Sequence, residues 1–248
     1  MTVIADIDLY RRGSATLLAS WAAYARGATV AALRRLPGVA AAVFPAGPER
    51  TVYNNALLER GLPAEGRRVA VDAMEAAYAA AGVHEYAAWV HESDAAMRVD
   101  LEARRYRIVE STRAMGMALA DLRPDRPAVA VEAVDWPAYL RLEDLPPGFL
   151  AAADHAALHV LGARVDGELA AAALAYDHAG DCGIFNVGTR QRYRRRGLAS
   201  ALTLVQLHDA VARGCVTASL QSTPMAERVY AAVGMRDLGR ILEYAPPG

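Results

Sequence analysis

Residues 186–200, NVGTRQRYRRRGLAS, gather the residue types that suit a bound phosphate: a strand, an arginine-rich turn, then a glycine at the mouth of an Ala/Leu helix. The first amides of a helix lack internal partners, and the aligned peptide dipoles put partial positive charge there, so such a turn attracts a diphosphate. Gly197 permits close approach, and Arg194, Arg195 and Arg196 add formal charge. Arginines beside such a turn also commonly line a solvated rim. Five arginines between Arg190 and Arg196 admit a nucleic-acid reading too. The pI of about 6.6 and the lack of a second basic cluster argue against that reading.

Other side chains are excluded or left open by their surroundings. All 27 basic residues are arginine, which removes the Walker A phosphate loop, Schiff-base catalysis and pyridoxal phosphate attachment. The six histidines form no HExxH motif, so no metal is expected. His91-Glu92-Ser93-Asp94 reads as a strand end plus a helix cap, with an acceptor-facing role as the alternative. Asn54-Asn55 reads as polar ends of a strand pair, or as a ligand contact. Asp181 reads as a turn residue. In phase with Gly183, Phe185 and Val187 on one strand, it could also reach a site through water. Tyr230, in an amphipathic helix, reads by itself as core.

Two motifs carry a resemblance. Arg194-x-x-Gly197-x-Ala199 resembles the Q/R-x-x-G-x-G/A acetyl-CoA signature of the GCN5-related N-acetyltransferases (GNAT), and the strand before it and helix after it suit that family. Ala226-x-x-x-Tyr230-x-x-x-Gly234-Met235 is similar to the family's A-x-x-x-Y-x-x-x-G-F segment. The resemblance implies acetyl-CoA as co-substrate and a splayed mixed sheet. Backbone groups of Val187, Gly188 and Thr189 would pair with the pantetheine arm. The turn with Arg194, Arg195, Arg196, Gly197, Leu198, Ala199 and Ser200 would cradle the pyrophosphate. Tyr230 would sit beside the sulfur as the proton donor, and a fourth-strand amide would polarise the thioester carbonyl. Thr223 stands where many members have Asn, weakening a cofactor contact, and Met235 replaces Phe as a tolerable core swap.

The elements that must position these residues are legible in outline. Helical spacing and stop signals predict helices over 14–36 (Ser14 as cap), 66–81, 93–104 (Ser93 as cap), 136–153, 198–212 and 224–233. Strands are expected over 39–44, 51–58, 85–91, 107–119, 129–134, 159–165, 169–176, 182–187, 216–222 and 238–244, with turns at residues 45–48 and at Asp166-Gly167. The element order repeats after a linker at 121–127, which reads as a duplication, with two generic strand-helix-strand units as the alternative. An offset of 129 sets ARRYR, ending at Arg107, under AVGMR, ending at Arg236. It also places Glu65 under Arg194, Arg68 under Gly197 and Leu101 under Tyr230, three changes that would spoil a coenzyme site.

The reading is an α/β (α+β) chain of two GNAT-like mixed-sheet halves with flanking helices. Residues 1–127 form a degenerate half and 128–248 an acetyl-CoA-binding half. With 248 residues, 54% apolar content and net charge −1, the chain can bury a core without staples, which excludes disordered and collagen-like classes. The longest apolar runs, such as 169–176, are too short to span a bilayer. The opening MTVIADIDLY lacks an export pattern, and two cysteines without CxxC spacing suit a reducing cytoplasm. The expected activity is acetyl transfer to a small-molecule amine, with no nucleic-acid or membrane partner. The alternative is a non-catalytic acyl-CoA-binding sensor or partner module.

Overall fold

The computed structural model describes residues 3–46 and 53–247. The expected turn residues Gly47 and Pro48 and the strand start at Thr51 lie outside them. The chain forms two compact units, each built from separated segments. Unit 1 holds the chain up to Ala19 together with Ala114–Phe149 and Asp154–Leu238. Unit 2 holds Ser20–Arg113, Leu150–Ala153 and the chain from Gly239.

Helix α1 (Asp6–Arg26) opens with Asp6 and Asp8 in its first turn, where carboxylates suit the positive helix end. Ser14 is therefore an interior residue and not the expected cap. The helix also stops short of Leu36. Beyond Gly27 the residues expected to stay helical form β1 (Ala32–Leu36), which pairs antiparallel with β2 (Val39–Val43) across Pro37-Gly38. The strand ladder overrides the helical propensity of the Ala-rich stretch, and Gly38 turns the chain with φ +73°.

Unit 2 continues with β3 (Asn55–Leu58), α2 (Ala64–Ala80), β4 (Ala87–His91), α3 (Ala95–Ala103) and the first part of β5 (Arg107–Ala118). Met74, Tyr78, Ala70 and Val71 of α2 pack on Ala41, Val43, Ala56 and Val90, and the Tyr78 hydroxyl donates to the Ala42 carbonyl at 3.0 Å. The cap of α3 is Asp94, whose carboxylate accepts from the Met97 amide at 3.1 Å; Ser93, expected in that place, instead meets His91 Nδ1 at 2.9 Å. The final strand β11 (Arg236–Ala245) pairs antiparallel with β4 from Ile241↔His91 to Tyr244↔Ala88.

In unit 1 the strand order is β5-β10-β9-β8-β7-β6, formed by β6 (Val131–Ala133), β7 (His159–Val165), β8 (Glu168–His178), β9 (Asp181–Thr189), β10 (Thr217–Ser222) and the end of β5. Asp166 and Gly167, with φ of 52° and 81°, close the β7–β8 hairpin as the sequence predicts. Helix α4 (Trp136–Leu142) is much shorter than the expected 136–153. Asp135 caps its start, and Pro146-Pro147 forbid the continuation that Ala-rich 151–153 would suggest. Helix α5 (Leu198–Ala212) matches its predicted bounds, and α6 (Glu227–Ala232) is trimmed at both ends. Ile184, Leu207, Ala210, Leu220, Tyr230 and Met235 share one core cluster.

The order strand, strand, strand, helix, strand, helix, strand occurs twice along the chain. In unit 2 β4 is flanked by the end of β11, and in unit 1 β10 is flanked by the end of β5. Each sheet is thus completed by the last strand of the other repeat, so the 127/128 division orders the sequence while the compact units interleave across it.

Candidate active site

The site begins with a defect in a ladder. β9 pairs parallel with β10 from Asp181↔Thr217 to Ile184↔Leu220, and there the pairing stops. On its other side β9 stays with β8 as far as Thr189↔Ala171. Between the pairs Phe185↔Leu174 and Gly188↔Ala172, however, two residues, Asn186 and Val187, oppose the single Ala173. This is a β-bulge, with Asn186 in the left-handed region at φ 48°. A bulge bends its strand, and β9 leaves β10 here, so residues 185–189 present a backbone edge with no strand partner on that side. The extra residue also inverts the alternation. Val187 packs with Leu198 and Leu202 toward α5, whereas Gly188 faces the opposite side. Asp181, Gly183 and Phe185 remain in phase with one another, but Val187 does not join them as the sequence phase implied.

The free edge runs directly into the arginine turn. Arg194 Nε donates to the Thr189 carbonyl at 3.1 Å. Arg192 pairs with Glu168, which also accepts from the Tyr193 hydroxyl at 3.0 Å. The guanidinium groups of Arg192 and Arg196 lie 4.9 and 5.5 Å from the Tyr193 ring centre, within cation–π range. Arg192 and Arg194 thus brace the turn, while Arg194, Arg195 and Arg196 are all exposed. The chain then passes through two left-handed residues, Arg195 (φ 65°) and Gly197 (φ 75°), into α5. Gly197 occupies the N-cap position with no side-chain cap, and nothing lies within 4 Å of where its side chain would project. The amides of Leu198, Ala199 and Ser200 therefore open the helix without a capping side chain.

Tyr230 is 6% exposed, and burial pushes its phenol up to about 12. Its ring belongs to the cluster against which Val187 packs, so the bulge and the tyrosine border one core. Among the described residues its hydroxyl has no hydrogen-bond partner. Met235 is buried in the same cluster, as the core-swap reading expected. Thr223 is exposed at the end of β10, where its carbonyl accepts from the Ser222 hydroxyl and the Ala226 amide, both at 2.9 Å.

Glu143, which the sequence reading passed over, lies on the other face of the bulge. It closes α4, its amide donating to the Tyr139 carbonyl at 3.0 Å. Its carboxylate packs against Gly188 so closely that any side-chain carbon there would collide with Oε1. Oε1 is shielded from solvent and meets no donor, and burial alone lifts the carboxyl to about 7. Tyr139, one helical turn earlier, accepts a 2.9 Å bond from Asn186 at the bulge. The available signal was an acid four residues after a tyrosine, just ahead of a Pro-Pro stop. In a helix running to 153, Glu143 would stand mid-helix; in the structure it closes α4.

Residues 118–235 match the model of the acetyltransferase (GNAT) family. The chain carries a GNAT acetyltransferase domain. A GCN5-related N-acetyltransferase from Kribbella flavida superposes with a TM-score of 0.71 at 18% identity, covering 96% of each chain. One from Sphaerobacter thermophilus gives 0.61 at 18% identity, over 86% of this chain and 82% of that one. A tandem GNAT protein from the clavulanic acid biosynthesis pathway gives 0.62 at 14% identity, over 100% and 98%. These likenesses establish the mixed α/β fold. No curated protein sequence matches the chain.

The GNAT geometry is not repeated in unit 2. There β3 and β4 stay paired to Leu57↔Trp89, one residue from the end of β3, so no edge opens. Helix α2 starts behind Pro63, making Pro63 the structural counterpart of Gly197. Arg68, set under Gly197 by the 129 offset, lies a turn inside α2, bound to Glu65 (2.5 Å) and Asp72 (3.0 Å). Leu101 is fully buried core.

The remaining polar candidates have structural partners. Asn54 exchanges bonds with the backbone of Phe44, and Asn55 accepts from Trp89 Nε1. Asp181 is buried and accepts from the Ser219 hydroxyl at 2.7 Å. His155 stacks on Trp136 with ring centres 4.7 Å apart, while His159 lies 3.6 Å from Asp177. Among the described residues no group of three or more His, Cys, Asp or Glu could hold a metal ion, and no helix is long and apolar enough to cross a membrane.

Proposed function

We propose that the GNAT domain transfers the acetyl group of acetyl-CoA to the amine of a small-molecule acceptor by direct attack. The observation that carries this reading is the departure of β9 from β10 at the Asn186-Val187 bulge, which leads a free backbone edge into the uncapped start of α5. In this reading Val187, Gly188 and Thr189 pair with the pantetheine arm. The amides from Arg195 to Ser200 and the guanidinium groups of Arg194, Arg195 and Arg196 hold the pyrophosphate, at a helix start whose charge and free donors suit an anion. A backbone amide of β9 polarises the thioester carbonyl. Tyr230, whose hydroxyl has no hydrogen-bond partner among the described residues, protonates the departing thiolate. Thr223, at the exposed end of β10, adds a weak contact to the coenzyme.

The small acceptor is favoured by α4 and the loop after it, which bring Tyr139 and Glu143 onto the face of β9 opposite α5. Both cysteines are free and buried, in keeping with a cytoplasmic enzyme. The test is a screen of amines with acetyl-CoA, following release of free thiol. We expect at least one amine to accelerate release well above the hydrolysis rate. Slow hydrolysis that no amine accelerates would overturn the proposal and leave an acyl-CoA-binding module.

A further inference from the structure

We infer that Glu143 is the base that takes the proton from the acceptor's ammonium group, on the face of β9 opposite α5. This rests on the acetyl-transfer reading above. A carboxylate oxygen sealed from water without a donor is costly, and folded proteins satisfy nearly all such atoms. Oε1 of Glu143 is one of several such atoms among the described residues, and it points at Gly188, part of the backbone edge that pairs with the acyl arm in that reading. An ammonium N–H supplies the donor that the protein withholds. The missing side chain at Gly188 lets the carboxylate lie directly against the strand; a Cβ there would push Glu143 aside.

The neighbouring groups are less suited. The Tyr139 hydroxyl is engaged by Asn186. The His155 ring is stacked on Trp136. Asp181 also has an oxygen without a donor, but it sits at the start of β9, where the strand is still paired with β10, and Ser219 holds its other oxygen. Around Glu143, α4 contributes Tyr139 and the exposed Arg141, β9 contributes no ionisable side chain from Phe185 to Thr189, and β8 none from Leu169 to Ala175. No charged neighbour contributes to the raised affinity of Glu143 for a proton, which burial alone brings to about 7 and so matches a base working at neutral pH.

The protons balance. Glu143 takes one from R–NH3+, freeing the nitrogen lone pair to form the C–N bond while the carbonyl π pair moves to oxygen. When the carbonyl re-forms, the C–S bond breaks and sulfur leaves with the electron pair. Sulfur takes a proton from Tyr230, which regains one from the nitrogen through water. Glu143 releases its proton to solvent, and one H+ is lost per turnover.

The experiment compares wild type, Glu143→Gln and Glu143→Asp with the amine returned by the screen, over pH 5.5 to 9. Glu143→Gln should lower kcat by about 10²-fold at pH 7 and abolish the acid limb of the pH profile near 7, while calorimetric affinity for CoA stays unchanged. Glu143→Asp should keep a limb at reduced rate. An unchanged profile in Glu143→Gln, or an equal loss of CoA affinity and turnover, would overturn the inference while leaving acetyl transfer standing. A wild type that acetylates no amine would instead remove the transfer reading and this inference with it.

Discussion

Tyr230 meets two demands with one side chain. Its ring fills the core shared by Ile184, Leu220 and Met235, while its hydroxyl has no hydrogen-bond partner among the described residues. Tyr230→Phe keeps the ring and should leave CoA affinity nearly unchanged while turnover falls about 10²-fold, the low end for a general acid because a thiol of pKa ~8.5 is already a fair leaving group. Single-turnover rates equal to wild type across pH 6 to 9 would make it core only. Glu143 and Glu243 add a pH signature. Burial raises both to about 7, with Glu110 adding repulsion at Glu243. Their folded values exceed the ordinary 4.5, so between pH 4.5 and 7 the native state holds protons that the unfolded chain has released. Stability therefore falls as pH rises through that window, by at most about 3 kcal/mol per group. Thermal melts should show Glu143→Gln narrowing the drop between pH 5 and pH 8; an unchanged drop would mean that the Glu143 carboxyl is not perturbed.

At the scale of elements, the bulge and the start of α5 form one device. Asn is tolerated at the left-handed φ of residue 186 better than a branched side chain, and its amide also donates to Tyr139. Asn186→Val should cost about 1–2 kcal/mol, lowering the melting temperature by a few degrees and weakening CoA binding; a melt and an affinity equal to wild type would show that the bulge does not depend on that residue. Gly197→Glu introduces strain at φ 75° and a negative charge where the anion would sit. It should abolish the thermal stabilisation given by CoA. Arg68→Glu, a turn inside α2 where Arg68 pairs with Glu65 and Asp72, should leave that stabilisation intact. The reverse pattern in the two melts would exchange the roles assigned to the helices.

The whole molecule is two units that are not two contiguous halves. Residues up to Ala19 and Ala114–Ala118 complete unit 1, while the chain from Gly239 completes unit 2. Fragments 1–127 and 128–248 expressed apart each lack a strand that their sheet requires, Tyr244 of unit 2 being fully buried. Circular dichroism and solubility should report poorly folded fragments separately and a cooperative fold on co-expression. Two stable fragments would mean that each half completes its own sheet. Calorimetry should find one CoA per chain, because β9 opens an edge that runs into the start of α5 whereas β3 stays paired with β4.

What the sequence determined by itself is what neighbouring residues decide. Gly197, with an arginine turn before it and an Ala/Leu run after it, admits one local arrangement, and α5 begins and ends where the residues say. Asp166-Gly167 likewise compels its hairpin, and Pro146-Pro147 carry a steric stop that keeps α4 from running on to 153. Partners distant in the chain decided the rest. Residues 32–36 became a strand because β2 offers a ladder, against their own helical leaning. The bulge exists only in the register of β9 against β8, so the strand's alternation predicts the wrong face for Val187. Glu143 is an ordinary acid until α4 ends at Leu142 and lays its carboxylate on Gly188, where burial and the lack of a donor, both tertiary properties, give it chemistry. The exchange of β5 and β11 between units is invisible in a repeat read along the chain, because hydrogen bonding across a sheet depends on which edge is free and not on which residues come next.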